Sequence, residues 1–269
     1  MRETAAELSA AHVPSPRNDA EILVAAVLGV SRAELYAADG GLGEDELQSL
    51  RSLVGRRRRR EPLAYVLGEW GFRGLTLAVD RRALVPRPET EIVVERCLAL
   101  LRGLEEPCVL DVGVGSGAIA VSLAVENPRA RVWATDASDD ALALAGENVR
   151  RTGVGERVEL VYGDVFAGLG GPFDLVVSNP PYVREEEVSA LEPEVRDWEP
   201  RSALVAPGVT SEVARGARDV LRAGGSLVLE CGAGQARALA GELDSIGYEH
   251  VAVTSDLAGI ERVVEGRRA

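Results

Sequence analysis

Apolar and polar positions follow two different periodicities along the chain. From about residue 108 onward, short apolar runs alternate with helical patterns. The runs that predict buried strands are 108–112, 131–135, 158–162, 173–178 and 225–230, with two further strands near 250–254 and 261–264 that are close enough to be antiparallel. Strands separated by helices predict an α/β fold, Rossmann-like, with a mainly parallel sheet.

The first part of the chain, up to about residue 62, has apolar stripes at helical spacing. A helix is predicted at 17–28 with an Asn/Asp cap at its start, and an amphipathic helix at 44–60. The simplest interpretation is a plain helical bundle, and the functional one is a substrate-recognition module. Residues 63–85 change to strand-like alternation, which predicts a β-hairpin linker.

Three polar segments are open to more than one interpretation. Five arginines at 56–60 end a predicted helix. We favour a solvated end that complements the helix dipole over a contact with RNA or an acidic patch on a partner. In the proline-flanked segment 85–91, Thr90 is predicted to cap a helix at 91–101, and the segment is either structural or a cover over a ligand. Residues 184–201 are acidic and predicted to form a loop.

A glycine-rich turn follows the first strand of the α/β part. Asp111 precedes Gly113-Val114-Gly115-Ser116-Gly117, and a helical pattern begins at Ala118. Such a turn starts a nucleotide-binding unit, because glycine lets a ligand approach the backbone closely. The spacing differs from the G-x-G-x-x-G that holds a pyrophosphate. An acid beside the turn favours a cationic ligand, and S-adenosylmethionine has both a sulfonium and an ammonium.

Acidic residues also end the next two strands. Asp136 lies about 20 residues beyond the glycine turn, where an acid binds ribose hydroxyls, although by itself it is equally well a helix N-cap. Asp164 ends the third strand and Val165 follows it. The carboxyl ends of parallel strands form the ligand-binding edge of an open α/β sheet. These positions therefore predict one binding site.

The fourth strand ends in Asn179-Pro180-Pro181-Tyr182. Asn179 offers an amide, the prolines offer carbonyls on a backbone of fixed φ, and Tyr182 offers a flat apolar face with a polar tip. A planar NH2 group, from an amide or an adenine, fits such a set. Each motif alone has a structural explanation, such as a proline turn, but their occurrence in order at successive strand ends favours a functional site.

Composition narrows the function classes. The 269 residues carry a formal net charge of −13 and contain no lysine. An acidic chain weighs against a duplex nucleic-acid substrate and suits a basic protein partner. The three cysteines lack metal-ligand spacing and the two histidines lie away from the motifs, so we expect no metal. Without a membrane-length apolar run or a signal peptide, we expect a cytoplasmic protein that binds no membrane.

The catalytic half resembles a class I S-adenosylmethionine-dependent methyltransferase, and the whole chain resembles the release-factor glutamine methyltransferases, the HemK/PrmC family. The matching stretches are 61–68, 85–91, 111–117, 178–182, Glu199-Pro200 with Ala203-Leu204, and 256–259 with Glu261-Arg262. The Asn-Pro-Pro-Tyr tetrapeptide is shared with adenine methyltransferases of DNA and RNA. Its combination with Arg-Pro-Glu-Thr-Glu is much more specific to this family.

The resemblance implies an N-terminal helical substrate-recognition domain at 1–62, the linker at 63–85 and a methyltransferase domain at 86–269 with seven strands, one antiparallel. It implies methyl transfer from S-adenosylmethionine, leaving S-adenosylhomocysteine, to the side-chain amide of the glutamine in the Gly-Gly-Gln loop of class 1 peptide chain release factors. The implied cofactor-binding residues are Gly113, Val114, Gly115, Ser116, Gly117, Asp136, Asp164, Val165 and Asn179.

For the chemistry we expect direct in-line displacement, with the catalytic tetrapeptide Asn179, Pro180, Pro181 and Tyr182. The Asn179 side-chain carbonyl and the Pro180 carbonyl each accept one N–H of the glutamine, which holds its nitrogen towards the methyl group. We expect a monomer with no direct nucleic-acid contact. The alternatives are a glutamine methyltransferase for a ribosomal protein, an adenine amino-methyltransferase that flips a base, and a non-catalytic scaffold.

Overall fold

The computed structural model of the protein describes residues 1–37, 41–166 and 168–269. The chain packs into two compact units. The first comprises Met1–Glu69 and a returning segment, Leu191–Trp198, and the second comprises Trp70–Ala190 and Glu199–Ala269. Among the described helices, none has the length and apolar character needed to cross a membrane.

The first unit is helical, as its apolar stripes predict. Its helices are α1 (Arg2–Ala10), α2 (Pro16–Leu28), α3 (Arg32–Ala37), α4 (Glu44–Arg58), α5 (Leu63–Leu67) and, in the returning segment, α9 (Pro193–Arg196). One apolar core joins α1 to α5, and it includes Leu8 of α1, Leu23 of α2, Leu50 of α4 and Val66 of α5. Burial of these stripes stabilises helices that are individually too short to persist in water.

Two features predicted for residues 1–85 differ in the structure. Helix α2 begins at Pro16 with Ser15 at its N-cap, so the predicted Asn/Asp cap is wrong. Proline suits the first helical turn because its φ is already fixed. The predicted hairpin linker begins with helix α5, and the strands follow as β1 (Glu69–Phe72) and β2 (Leu75–Ala78).

The arginine run at 56–60 is the larger correction. Arg57 is buried, with a side chain only 5% exposed, and lies 2.8 Å from a carboxylate oxygen of Asp19 and 2.8 Å from one of Glu194. Arg60 lies 2.6 Å from the other oxygen of Glu194. The predicted solvated helix end is therefore wrong for these arginines. Their acidic partners are distant in sequence. The periodicity of a helix does not predict such pairs.

The second unit is built on a seven-stranded sheet of the described residues. Its strands lie in the order β5-β4-β3-β6-β7-β9-β8, and β9 is antiparallel to both of its neighbours. Their bounds are β3 (Cys108–Val112), β4 (Arg131–Asp136), β5 (Val158–Tyr162), β6 (Phe173–Ser178), β7 (Leu221–Glu230), β8 (Tyr248–Ser255) and β9 (Glu261–Arg268). This confirms the predicted α/β class and the antiparallel pairing of the last two strands.

Helices cover both faces of this sheet. The α-helices described in this unit are α6 (Pro88–Leu100), α7 (Ala118–Glu126), α8 (Asp139–Thr152), α10 (Arg201–Leu204), α11 (Val209–Val220) and α12 (Ala236–Ile246). Alternate residues of β6 point to opposite faces. Leu175 and Val177 join the core formed with α6, α7 and α8, whereas Val176 joins the core formed with α11 and α12. A strand buried on both faces has the continuous apolar run that predicted it.

Two predictions for other segments of the chain are wrong. The segment 184–201 contains a 3-10 helix at Glu185–Ala190 and helix α9, and α10 begins at Arg201, so it is not a simple loop. Helix α6 begins at Pro88 with Arg87 at its N-cap, so Thr90 lies inside the first turn. The Thr90 hydroxyl is therefore not a cap, and it donates instead to the carboxylate of Glu230 at the end of β7.

Candidate active site

The carboxyl ends of four neighbouring strands meet at one edge of the sheet. Val112, the last residue of β3, pairs with Thr135 of β4 on one side and with Ser178 of β6 on the other. The Ser178 hydroxyl donates to the Val112 carbonyl at 2.7 Å. The glycine turn after β3 and the Asn-Pro-Pro-Tyr segment after β6 therefore leave the sheet side by side.

The backbone of the glycine turn requires glycine. Gly113, Gly115 and Gly117 have φ values of +79°, +53° and +84°, which side chains with a Cβ rarely adopt. The N–H groups of Gly113 and Val114 both donate to the Thr135 carbonyl at 2.9 Å. The turn is thus held by the end of β4. Ser116 within it is buried.

Asp136 ends β4 and supports this turn. One carboxylate oxygen accepts the Gly115 N–H at 3.0 Å, and the other accepts the Ser138 N–H at 2.9 Å. The N-cap of α8 is Ser138, whose hydroxyl accepts the Ala141 N–H. The helix-cap alternative for Asp136 is therefore excluded, and its carboxylate lies beside the turn.

A second acid, Asp111, is buried under the turn. One of its oxygens accepts the Ala120 N–H at 3.1 Å, and the other has no hydrogen-bond partner among the described residues. Burial raises the pKa of Asp111 to about 8, the Ala120 N–H opposes that rise and Asp136 adds to it. A nearby positive charge would favour the ionised form of such a carboxyl group.

The third strand contributes less to the site. Val165 is buried with a φ of +41°, and its carbonyl accepts the Thr135 hydroxyl at 2.6 Å, which fixes it beside the end of β4. Asp164 is exposed. The structure thus brings Val165 to the same sheet edge as Asp136, while the Asp164 side chain is in solvent.

The Asn-Pro-Pro-Tyr segment is fixed by groups that the sequence analysis did not assign to the site. The Asn179 side-chain NH2 lies 3.3 Å from the Thr90 hydroxyl oxygen, and that hydroxyl donates to Glu230 at 2.7 Å. The Tyr182 hydroxyl donates to the other Glu230 oxygen at 3.3 Å. The Gln235 side chain donates to the Tyr182 carbonyl at 2.9 Å. Pro180 is buried, and Pro181 is partly exposed.

Glu230 is the most unusual of these groups. It is 1% exposed at the end of β7. Burial raises its pKa to about 7, and the hydrogen bonds from Thr90 and Tyr182 oppose that rise. Burial and the Glu230 carboxylate also raise the pKa of Tyr182. A signal for Glu230 was present in the sequence, since an acid ends an apolar strand at the sheet edge that binds ligands.

An ion pair joins two of the stretches that carried the family resemblance. Arg87 lies 2.6 Å from one oxygen of Glu199, and the other oxygen has no hydrogen-bond partner in the described part of the chain. Burial raises the pKa of the Glu199 carboxyl, and Arg87 opposes that rise. The pair ties the segment that precedes α6 to the segment that precedes α10.

Comparison with known proteins identifies the family. The PrmC N-terminal domain model matches residues 1–68, and the methyltransferase small domain model matches residues 93–193. A release factor glutamine methyltransferase of Geobacter sulfurreducens is 43% identical over 261 residues, which cover 95% of this chain and 90% of that protein. One of Deinococcus radiodurans is 42% identical over 274 residues, covering 100% and 97%.

A solved structure shares the fold. The Thermus thermophilus 16S rRNA N2 G1207 methyltransferase aligns with a TM-score of 0.55 at 16% identity, covering 75% of this chain and 50% of that chain. At that identity the likeness shows the methyltransferase fold alone. The close relatives match nearly from end to end. The chain therefore belongs to the family of release factor glutamine methyltransferases.

Proposed function

We propose that this protein transfers a methyl group from S-adenosylmethionine to the side-chain amide nitrogen of the glutamine in the Gly-Gly-Gln loop of class 1 peptide chain release factors. The observation that carries the proposal is the position of Asn179, next to the end of β3 and its glycine turn. Relatives named for this activity, more than 40% identical over almost the whole chain, support the choice of substrate.

The residues around the glycine turn fit this cofactor. The backbone from Gly113 to Gly117 would hold the methionine end, and Asp136 would hold the ribose. Asp164 and Val165 would lie by the adenine. Asp111 places a carboxyl group under the turn, with one oxygen that has no partner among the described residues. A ligand with positive charge would stabilise its ionised form. When bound, S-adenosylmethionine supplies an electrophilic methyl group on a sulfonium.

The chain's own contribution is to position a poor nucleophile. An amide nitrogen is weakly nucleophilic because its lone pair is delocalised into the carbonyl. The Asn179 side-chain carbonyl and the Pro180 backbone carbonyl would each accept one hydrogen of the glutamine NH2, and Tyr182 would pack against the amide plane. Two oriented acceptors aim the nitrogen and stabilise the positive charge that develops on it. The proton leaves afterwards, so no strong base is needed.

We also propose that the chain is divided into three parts. Residues 1–62 form the substrate-recognition domain, 63–85 the connection and 86–269 the catalytic domain. The protein acts as a monomer in the cytoplasm, where release factors function, and its net charge of −13 supports a protein substrate over a nucleic acid.

A substrate panel tests the proposal. The purified protein is incubated with labelled S-adenosylmethionine and an unmethylated class 1 release factor, with ribosomal proteins, DNA and RNA in parallel tubes. The matched control is the same release factor with the Gly-Gly-Gln glutamine replaced by alanine. We expect label on the unaltered release factor alone. Label confined to a ribosomal protein or to nucleic acid, or retained by the alanine variant, would overturn the choice of substrate.

A further inference from the structure

Thr90 lies between the side-chain amide of Asn179 and the carboxylate of Glu230. Its hydroxyl oxygen is 3.3 Å from the Asn179 Nδ2 atom and 2.7 Å from Glu230 Oε2. A hydroxyl has one hydrogen to donate, whereas an ionised carboxylate can only accept. The Thr90 hydrogen is therefore committed to Glu230, and only a lone pair is left for Asn179.

The hydrogen bond from Thr90 to Glu230 determines which end of the Asn179 amide faces Thr90. A lone pair on Thr90 accepts a hydrogen from the NH2 end but repels the carbonyl end. The reversed amide would also point its NH2 at the NH2 of the target glutamine, donor against donor. With the NH2 end bound to Thr90, the Asn179 carbonyl is left to accept a hydrogen from the substrate.

We propose that Thr90 and Glu230 are positioning residues that fix the orientation of the Asn179 side-chain amide, so that its carbonyl faces the target NH2. The proposal rests on the proposed function, since it concerns the same site. It also accounts for the second oxygen of Glu230, which accepts the Tyr182 hydroxyl. One carboxylate thus holds both ends of the Asn-Pro-Pro-Tyr segment.

Burial protects these hydrogen bonds from competition with water. Thr90 and Glu230 are 5% and 1% exposed, so water does not freely replace either partner. The charged and titratable groups that face Glu230 are Tyr182, Glu89 on α6, Arg262 on β9 and the adjacent Cys231. Two acids, Glu230 and Glu89, are thus near a single arginine, Arg262. Because of this and its burial, the Glu230 carboxyl takes up a proton more readily than an exposed acid does.

Protonation of Glu230 would remove the constraint. A neutral carboxyl group can donate to Thr90, whose hydrogen is then free to point at the carbonyl end of Asn179. The pKa of Glu230 is raised to about 7 by burial. The orientation is therefore enforced above that pH and lost as the pH falls through it. We expect the rate of methyl transfer to fall across the same window.

Two pairs of variants test the proposal. Thr90→Val removes the hydroxyl at nearly constant volume, and Thr90→Ser keeps it. Glu230→Gln removes the charge, and Glu265→Gln is its matched control, because Glu265 is a buried acid on the neighbouring strand β9 that pairs with Arg96. Single-turnover methyl transfer to the release factor and the affinity for S-adenosylhomocysteine are measured from pH 5.5 to 8.5.

We expect Thr90→Val and Glu230→Gln to lower the single-turnover rate about 100-fold, as misplacement of a reacting group does. Affinity for S-adenosylhomocysteine should change far less, which shows that the variants fold. Thr90→Ser should restore most of the rate, and Glu230→Gln should lack the pH step that Glu265→Gln retains. Equal rates for Thr90→Val and Thr90→Ser, or an unaltered pH step in Glu230→Gln, would overturn the proposal.

A measurement on the cofactor-free protein is independent of turnover. The sequence has four asparagines, so the side-chain NH2 signals of asparagine-labelled protein can be assigned by NMR. The Asn179 signal should shift with a midpoint near pH 7 in the wild type and stay constant in Glu230→Gln. A pH-independent wild-type signal would refute the proposal even where a variant fails to fold. Failure of the wild type to methylate the release factor would instead refute the proposed function.

Discussion

At the scale of single residues, two acids beside the glycine turn have opposite environments. Asp136 accepts two backbone N–H groups, whereas Asp111 accepts one and is fully buried. Hydrogen bonds favour a charged carboxylate, and burial disfavours it. Burial thus destabilises the charged form of Asp111, and one of its oxygens has no hydrogen-bond partner among the described residues.

The pH dependence of stability should reveal Asp111. Its pKa is about 8 when folded, against an ordinary 3.8. The folded chain holds a proton that the unfolded chain releases between these values, so the contribution of this group to stability falls as pH rises from about 4 to about 8. Asp111→Asn should therefore stabilise the cofactor-free protein at pH 8 more than at pH 5, by on the order of 1 kcal/mol or more. Thermal unfolding at both pH values checks this, and equal shifts would contradict it.

Gly117 supports a second prediction at this scale. Its φ is +84°, and an added Cβ would lie 3.4 Å from Ala145. Gly117→Ala should destabilise the fold by about 1–2 kcal/mol and weaken cofactor binding. Gly55→Ala is the matched control, because that glycine is inside helix α4 with open space at its Cβ, and alanine should stabilise it by about 0.5–1 kcal/mol. Calorimetry and thermal melting separate the two, and equal effects would contradict the account of the turn.

At the scale of elements, periodicity predicted strands and helices well but not their polar partners. The structures of the apolar run at 173–178 and of the glycine turn follow from the residues within each segment. Thr90 does not, because its partner Glu230 is 140 residues away in sequence, and a threonine near a helix start resembles a cap. The same holds for Arg57, whose acid Glu194 belongs to the returning segment.

Buried and exposed arginines at the end of helix α4 should differ in their effect on stability. Arg57→Met should destabilise the first unit by about 3–5 kcal/mol, because Asp19 would remain buried without its cation and Glu194 would lose one of its arginine partners. Arg59→Met, at an exposed position in the same run, should change stability by less than about 0.5 kcal/mol. Denaturant titrations of both variants measure the difference. Similar midpoints would mean that the arginine pairs contribute little.

At the scale of the whole molecule, the site is assembled from strands that are neighbours in the sheet. The order β5-β4-β3-β6 gathers the ends of four strands that are separated along the chain by helices. The α/β class and the shared edge follow from the strand–helix alternation. The register of Val112 with Ser178, which places Asn179 beside the glycine turn, depends on side-chain packing between both layers of helices. Sequence alone does not supply it.

The most direct test of this account is the single-turnover rate of methyl transfer to a class 1 release factor by Asn179→Ala, with cofactor affinity measured alongside. If Asn179 holds the target amide, the rate should fall at least about 100-fold while the dissociation constant for S-adenosylhomocysteine changes only a few-fold. A variant that methylates the release factor at a near-normal rate would contradict the central claim that this side chain positions the nitrogen.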